Sequence, residues 1–121
     1  MELKKIKDHF SVCQVENMSE IDWNSEFCFV GKTDEEISLV CPTQNVPPRV
    51  IRMEDGWNAF RIEGVLDFSL VGILSEIAAL LAAQKISIFA VSTYNTDYVL
   101  TRSRDYEKAL NLLQKAGYQI T

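Results

Sequence analysis

The spacing of the apolar residues changes in a fixed order along the second half of the chain, and this order restricts the fold most strongly. Apolar and polar residues partly alternate over 57–63, which predicts a strand that ends at Gly64. From about residue 68 to residue 84 the apolar side chains recur at helical spacing, at Leu70, Leu74, Ile77 and Leu81. This stretch therefore predicts an amphipathic helix.

Two β-branched runs and a second helical pattern follow. The runs 86–93 and 98–101 are separated by a short polar turn, which is typical of a β-hairpin. A second helix is expected over about 105–116, with Gly117 as its C-terminal stop and a last short strand over 118–120. The order strand, helix, strand, strand, helix, strand is the ferredoxin-like βαββαβ arrangement of the α+β class.

The first half of the chain predicts a shortened unit of the same kind. A one-turn helix fits near 19–23, whereas Pro47 and Pro48 interrupt regular structure because proline cannot donate to a strand ladder. We therefore expect a shortened β(α)ββ unit over 8–55, packed side by side with a complete unit over 57–121. The strand-like runs of the shortened unit are 10–15, 27–30 and 36–41.

Charge and hydropathy indicate which classes of partner the protein can bind and in which compartment it is located. The formal net charge is −5 and the pI is near 4.8, whereas nucleic acids and anionic membranes bind clustered Lys and Arg. We therefore expect neither nucleic acid nor a membrane as a partner. Residues 1–5 carry charge, no apolar segment follows them, and no stretch is long enough to cross a bilayer, so we expect a cytoplasmic protein.

The residue types needed for metal binding and catalysis do not occur in the required patterns. Cys13, Cys28 and Cys41 include no CxxC pair, so they are expected to be free, buried thiols rather than a disulfide framework or zinc site. His9 is the only histidine and has no acidic or cysteine partner at catalytic spacing. The sequence predicts no cofactor, no metal and no enzymatic activity.

Two long segments carry a family resemblance. The segments EGVLDFSLVGIL (63–74) and ISIFAVSTYNTDYVL (86–100) closely resemble the small bacterial ACT-domain proteins related to the animal cytosolic arginine sensor. In the first half, FSVC (10–13), TDEEISLVCP (33–42) and the pair Gly56-Trp57 resemble that family's shortened first ACT unit. The resemblance implies tandem regulatory ACT units that pair side by side, as in a homodimer, and bind free amino acids at their interfaces.

The resemblance also implies a ligand site in the loop between the first strand and the first helix of the complete unit. A helix N-terminus there would suit an amino acid's α-carboxylate, because its first amides have no partner within the helix. The alternative is that Asp67 and Ser69 only cap the helix and Gly72 only serves packing. The implied ligand-binding residues of this loop are Val65, Leu66, Asp67, Phe68, Ser69, Leu70, Val71 and Gly72.

The α-ammonium group of such a ligand needs an acceptor elsewhere. Asn95 and Asp97, with Thr93 beside them, are the candidates that the resemblance implies. The alternative is ordinary turn chemistry, since Asn, Thr and Asp are favoured between two hairpin strands.

Two functions from different classes remain open at this stage. The first is a regulatory sensor in which a bound amino acid changes self-association or the binding of a separate enzyme or transporter. The second is a constitutive interaction module that binds no ligand. Stabilisation by free amino acids distinguishes them, because only a sensor is stabilised by its ligand.

Overall fold

The computed structural model describes residues 1–63 and 72–121, which form two compact units. The larger unit comprises Met1–Lys7 and Asn58–Thr121, and the smaller comprises Asp8–Trp57. The elements are β1 (Glu2–Val15), β2 (Phe29–Lys32), β3 (Ile37–Pro42), a short 3-10 helix (Thr43–Asn45), β4 (Arg52–Ile62), α1 (Ile73–Ala83), β5 (Ile88–Ser92), β6 (Asp97–Arg102), α2 (Ser103–Lys115) and β7 (Gln119–Ile120).

The larger unit confirms the predicted α+β, ferredoxin-like class. Its strand order is β7-β1-β4-β6-β5, and both α-helices belong to it. β5 and β6 form the predicted antiparallel hairpin, in which Val91 is paired with Tyr98. The apolar core of this unit combines residues of β1, β4 and β6, of both helices and of the connections that follow each helix: Leu3, Phe60, Ile62, Ile77, Leu81, Ile86, Val99, Tyr106, Ala109, Leu110, Leu113 and Tyr118.

The two helices bury the faces that their periodicity predicts. In α1 the buried residues are Ile77 and Leu81. In α2 they are Tyr106, Ala109, Leu110 and Leu113, which recur at the spacing of one helix face.

Several predicted boundaries are wrong. α1 begins at Ile73, where Gly72 occupies the N-cap position with a left-handed φ of 88°, and the predicted start near residue 68 lies outside the described residues. β4 begins at Arg52 and not at residue 57. Residues 52–56 are exposed, so they lack the alternation of apolar and polar residues from which a strand is predicted. β1 begins at Glu2, and its start pairs in parallel with β7, with Leu3 opposite Ile120.

The smaller unit contains antiparallel pairs around β3. Ser11 of β1 lies opposite Cys41, and Phe29 of β2 lies opposite Val40. The one-turn helix predicted near 19–23 is not formed. Turns take its place because the Asp22 side chain accepts a hydrogen bond from the amide of Asn24, a local alternative to helical bonding.

Candidate functional site

The N-terminal end of α1 has amides without a hydrogen-bond partner within the helix. The first helical hydrogen bond runs from the amide of Glu76 to the carbonyl oxygen of Gly72 at 2.8 Å, so the N–H groups of residues 73–75 have no partner within the helix. No side chain among the described residues caps this end. The amides and the helix dipole together make it a favourable position for a negatively charged group.

A cavity of about 420 Å³ opens beside this helix end. It lies within the larger unit and brings together the start of α1, the end of α2 and the start of the chain. Its described lining residues are Met1, Gly72, Ile73, Glu76, Ala116, Gly117 and Tyr118. Its volume lies within the range of small-molecule sites.

Glu76 and Tyr118 meet at the wall of this cavity. The hydroxyl of Tyr118 donates a hydrogen bond to Oε1 of Glu76 at 2.6 Å. Burial, together with the hydrogen bond and charge of Glu76, raises the pKa of Tyr118 to about 12. The phenol therefore stays protonated near neutral pH and holds the carboxylate in place.

The end of α2 determines where Tyr118 lies. Gly117 takes a φ of 107°, which side chains rarely adopt, and the amide of Tyr118 then bonds back to the carbonyl oxygen of Leu113 at 3.1 Å. This tight reversal places Tyr118 next to the first turn of α1. Neither partner was identified from the sequence, because Glu76 and Tyr118 lie far apart in the chain and no local pattern links them.

The residues implied for the ligand loop are only partly described. Val65, Leu66, Asp67, Phe68, Ser69, Leu70 and Val71 lie outside the described residues. Gly72 lines the cavity.

Thr93, Asn95 and Asp97 are not among the described lining residues of the cavity beside Gly72. Thr93 serves the β5–β6 turn: its amide and its hydroxyl both donate to the carbonyl oxygen of Thr96, at 2.8 and 3.0 Å. Asn95 is exposed, and Asp97 begins β6 opposite Ser92. The described contacts of Thr93 are those that turn chemistry requires.

Thr96 is a structural residue that the sequence interpretation missed. Its side chain is buried, and its hydroxyl donates a hydrogen bond to the carbonyl oxygen of Ile62 at 2.7 Å. The β5–β6 turn is thereby attached to the last residue of β4, next to the segment that contains the implied ligand loop. A polar residue in a polar turn gives no sequence signal for such burial.

A second cavity, of about 260 Å³, lies in the smaller unit beside Glu16, Asn17 and Glu20. Arg49 also lines it and forms an ion pair of 3.1 Å with Glu20. The guanidinium is largely exposed, so this ion pair contributes little to the free energy of folding. The charges of this cavity are partly satisfied by each other.

The three cysteines are free thiols, two of them buried and Cys28 half-buried. Burial raises the pKa of Cys13 to about 11 and that of Cys41 to about 12. Such thiols are poor nucleophiles near neutral pH. In residues 1–63 and 72–121, no three His, Cys, Asp or Glu side chains are grouped so as to hold a metal ion.

Within the described part of the chain, neither helix has the length and apolar character required to span a membrane.

Comparison with known proteins gives one family match and several structural neighbours. A family model described as the ACT domain matches residues 52–115. Protein Atu0741 from Agobacterium tumefaciens is 31% identical and superposes with a TM-score of 0.87, covering 99% of this chain and 91% of that one. No curated protein matches.

Two aspartate kinases are more distant neighbours. The enzyme from Clostridium acetobutylicum, described as allosteric, is 15% identical with a TM-score of 0.67, covering 94% of this chain and 33% of that one. A structure of aspartokinase alpha and beta subunits is 17% identical with a TM-score of 0.65, covering 96% and 97%. At these identities the likeness concerns the fold alone.

Proposed function

Because the chain belongs to the ACT-domain family, we propose that it is a regulatory module that binds a free amino acid and thereby changes its association with itself or with a partner. The observation that supports this most directly is the cavity of about 420 Å³ at the N-terminus of α1, which no described side chain caps. An allosteric aspartate kinase contains a region of the same fold, which agrees with a regulatory role.

The α-carboxylate of the ligand is proposed to bind the amides of residues 73–75, which have no partner within the helix. Hydrogen bonds from several aligned N–H groups to a charged acceptor stabilise a complex more than a single neutral hydrogen bond does. The loop 65–71 is proposed to complete the site, as the family resemblance implies. Thr93, Asn95 and Asp97 would take part if a second unit brings that turn to the ligand, since family sites lie between units.

The regulated protein is proposed to be a separate enzyme or transporter in the cytoplasm. The module itself is proposed to contain tandem ACT units. It is also proposed to form a homodimer. Among the described strands, β5 is an edge strand of the sheet. The unpaired backbone groups of such a strand can form hydrogen bonds with a strand of a second copy. Light scattering across micromolar concentrations, with and without ligand, tests the dimer. A constant monomer mass would contradict it.

A thermal-shift screen of the twenty free amino acids tests the sensor function. At a ligand concentration about one hundred times its Kd, binding adds about 2.7 kcal/mol to the free energy of unfolding. For a domain of this size that is a rise of several degrees in Tm. No response to any amino acid would contradict the sensor.

Two variants connect the shift to the implied site. Asp67→Ala and Asp97→Ala are expected to reduce the ligand-induced shift, whereas Asp34→Ala, in an exposed turn of the smaller unit, should leave it unchanged. If Asp67 only caps the helix, its replacement lowers the Tm of the unliganded protein and leaves the shift intact.

A constitutive dimerisation module without a ligand is the second candidate. The bonds of Thr93 within its own turn favour it, because they account for this residue without a ligand. Dimerisation that is indifferent to all amino acids would support it.

A further inference from the structure

We propose that the carboxylate of Glu76 binds the positively charged group of the ligand, so that the cavity beside Gly72 accepts molecules with a protonated amine or guanidinium group. This inference rests on the proposed function in placing the ligand in the same cavity. It adds Glu76, which the family resemblance does not implicate, to the acceptors Asn95 and Asp97 proposed for a second unit.

The first argument is the pairing of Glu76. Among the described residues, the hydroxyl of Tyr118 is the only hydrogen-bond partner of the Glu76 side chain, and this bond engages Oε1. No Lys or Arg among residues 1–63 and 72–121 forms an ion pair with Glu76. A carboxylate held by one neutral donor keeps acceptor capacity on both oxygens for an incoming cation.

The second argument is the sign of the surrounding charges. Ala116 and Gly117 bring the C-terminal end of α2 to the cavity, and a helix C-terminus carries a partial negative charge. No Lys or Arg is among the described lining residues. Met1 also lines the cavity, and its terminal amine forms no ion pair with Glu76. The carboxylate and the end of α2 therefore both favour a cation.

The third argument is the arrangement of opposite charges along one wall. Glu76 lies in the first turn of α1, directly after residues 73–75, whose amides have no partner within the helix. A ligand that carries a carboxylate and an ammonium group on the same carbon, as an α-amino acid does, offers one group to the amides and one to Glu76. An N-acylated or deaminated analogue would lose the ion pair with the Glu76 carboxylate, so the site favours a ligand with a charged amine.

Binding of free amino acids, their N-acetyl derivatives and ethylammonium is measured by titration, with the amide NMR signals of Gly72 and Gly117 as site reporters. The binding amino acid should lose at least tenfold in affinity when N-acetylated. Glu76→Gln should weaken its binding at least tenfold, and Tyr118→Phe should weaken it less, because it removes only the positioning bond. Glu107→Gln, an exposed glutamate of α2 outside the cavity, should leave the affinity unchanged.

The outcomes separate this inference from the proposed function. If an amino acid binds and shifts the Gly72 signal equally in the wild type and in Glu76→Gln, the sensor stands and the role of Glu76 is overturned. If no amino acid binds but ethylammonium shifts both glycine signals in the wild type and not in Glu76→Gln, the cation site stands without the sensor. If neither binds, both are overturned.

A comparison on the wild type alone covers the case in which Glu76→Gln does not fold. Ethylammonium should shift the Gly72 and Gly117 signals, and ethanol, which is similar in size and neutral, should not. Equal shifts by the two molecules would overturn the inference.

Discussion

The hydroxyl of Thr96 donates a hydrogen bond of 2.7 Å to the carbonyl oxygen of Ile62, which attaches the β5–β6 turn to the end of β4. Both groups are buried in the larger unit. A carbonyl oxygen in this position has no access to water as a substitute partner. The contact therefore fixes the turn relative to the strand that precedes residues 64–71.

Thr96→Val keeps the shape of the side chain and leaves the Ile62 carbonyl without this donor. We expect the free energy of unfolding to fall by about 1–3 kcal/mol, the cost of an unsatisfied buried acceptor. The exposed neighbour Asn95 supplies the control, since Asn95→Ala should change stability by less than about 0.5 kcal/mol. Urea denaturation measures both, and equal values would show that the bond does not stabilise the turn.

Tyr106→Phe should make the protein less sensitive to alkaline pH. The hydroxyl of Tyr106 donates to the carbonyl oxygen of Ala59 at 2.6 Å, and burial raises its pKa to about 12. The folded state thus favours the protonated phenol. Its contribution is complete below the ordinary tyrosine pKa of about 10 and is lost as the pH rises through about 12.

Denaturation of the wild type and of Tyr106→Phe between pH 8 and pH 11.5 checks this prediction. The wild type should lose more stability than the variant over the upper part of this range. Tyr94→Phe, which changes an exposed side chain, should follow the wild type. Parallel curves for all three proteins would contradict the assignment.

Alkylation should distinguish the three thiols. Burial raises the pKa of all three, but Cys28 is only half-buried whereas Cys13 and Cys41 are covered. Under native conditions at pH 8, iodoacetamide should modify Cys28 first, and the other two should react only when the protein unfolds. Peptide mass spectrometry of timed samples measures this order. Rapid modification of Cys13 or Cys41 would contradict their burial.

Local patterns predicted the part of the fold that depends on neighbours in sequence. The helical spacing of the apolar residues predicts the face of α2 that contains Ala109 and Leu113. The conformational freedom of glycine predicts that the helix ends before Gly117. The β5–β6 hairpin follows from two β-branched runs around a polar turn. In each case one short segment carries the whole signal.

The contacts that build the candidate site are of a different kind. The pairing of Leu3 with Ile120 joins the two ends of the chain, and the start of β1 looks merely charged in the sequence. The bond between Glu76 and Tyr118 also joins distant segments. A single sequence carries no information about such pairs, so the cavity could not be predicted. The role of residues 65–71 stays a prediction.

The last prediction concerns the reversal at Gly117, on which the position of Tyr118 depends. Its φ is 107°, and a Cβ at this position would meet no atom within 4 Å, so any cost of Gly117→Ala comes from the backbone conformation alone. We expect a loss of about 1–2 kcal/mol in the free energy of unfolding.

Gly31 supplies a control, because a Cβ there also meets nothing and its φ lies outside the strained range. Gly31→Ala should therefore be neutral or slightly stabilising. Urea denaturation compares the two, and equal stabilities would mean that the chain adopts another conformation at Gly117. In that case Tyr118 would no longer be held against Glu76, and the Gly72 amide signal of Gly117→Ala should shift as well.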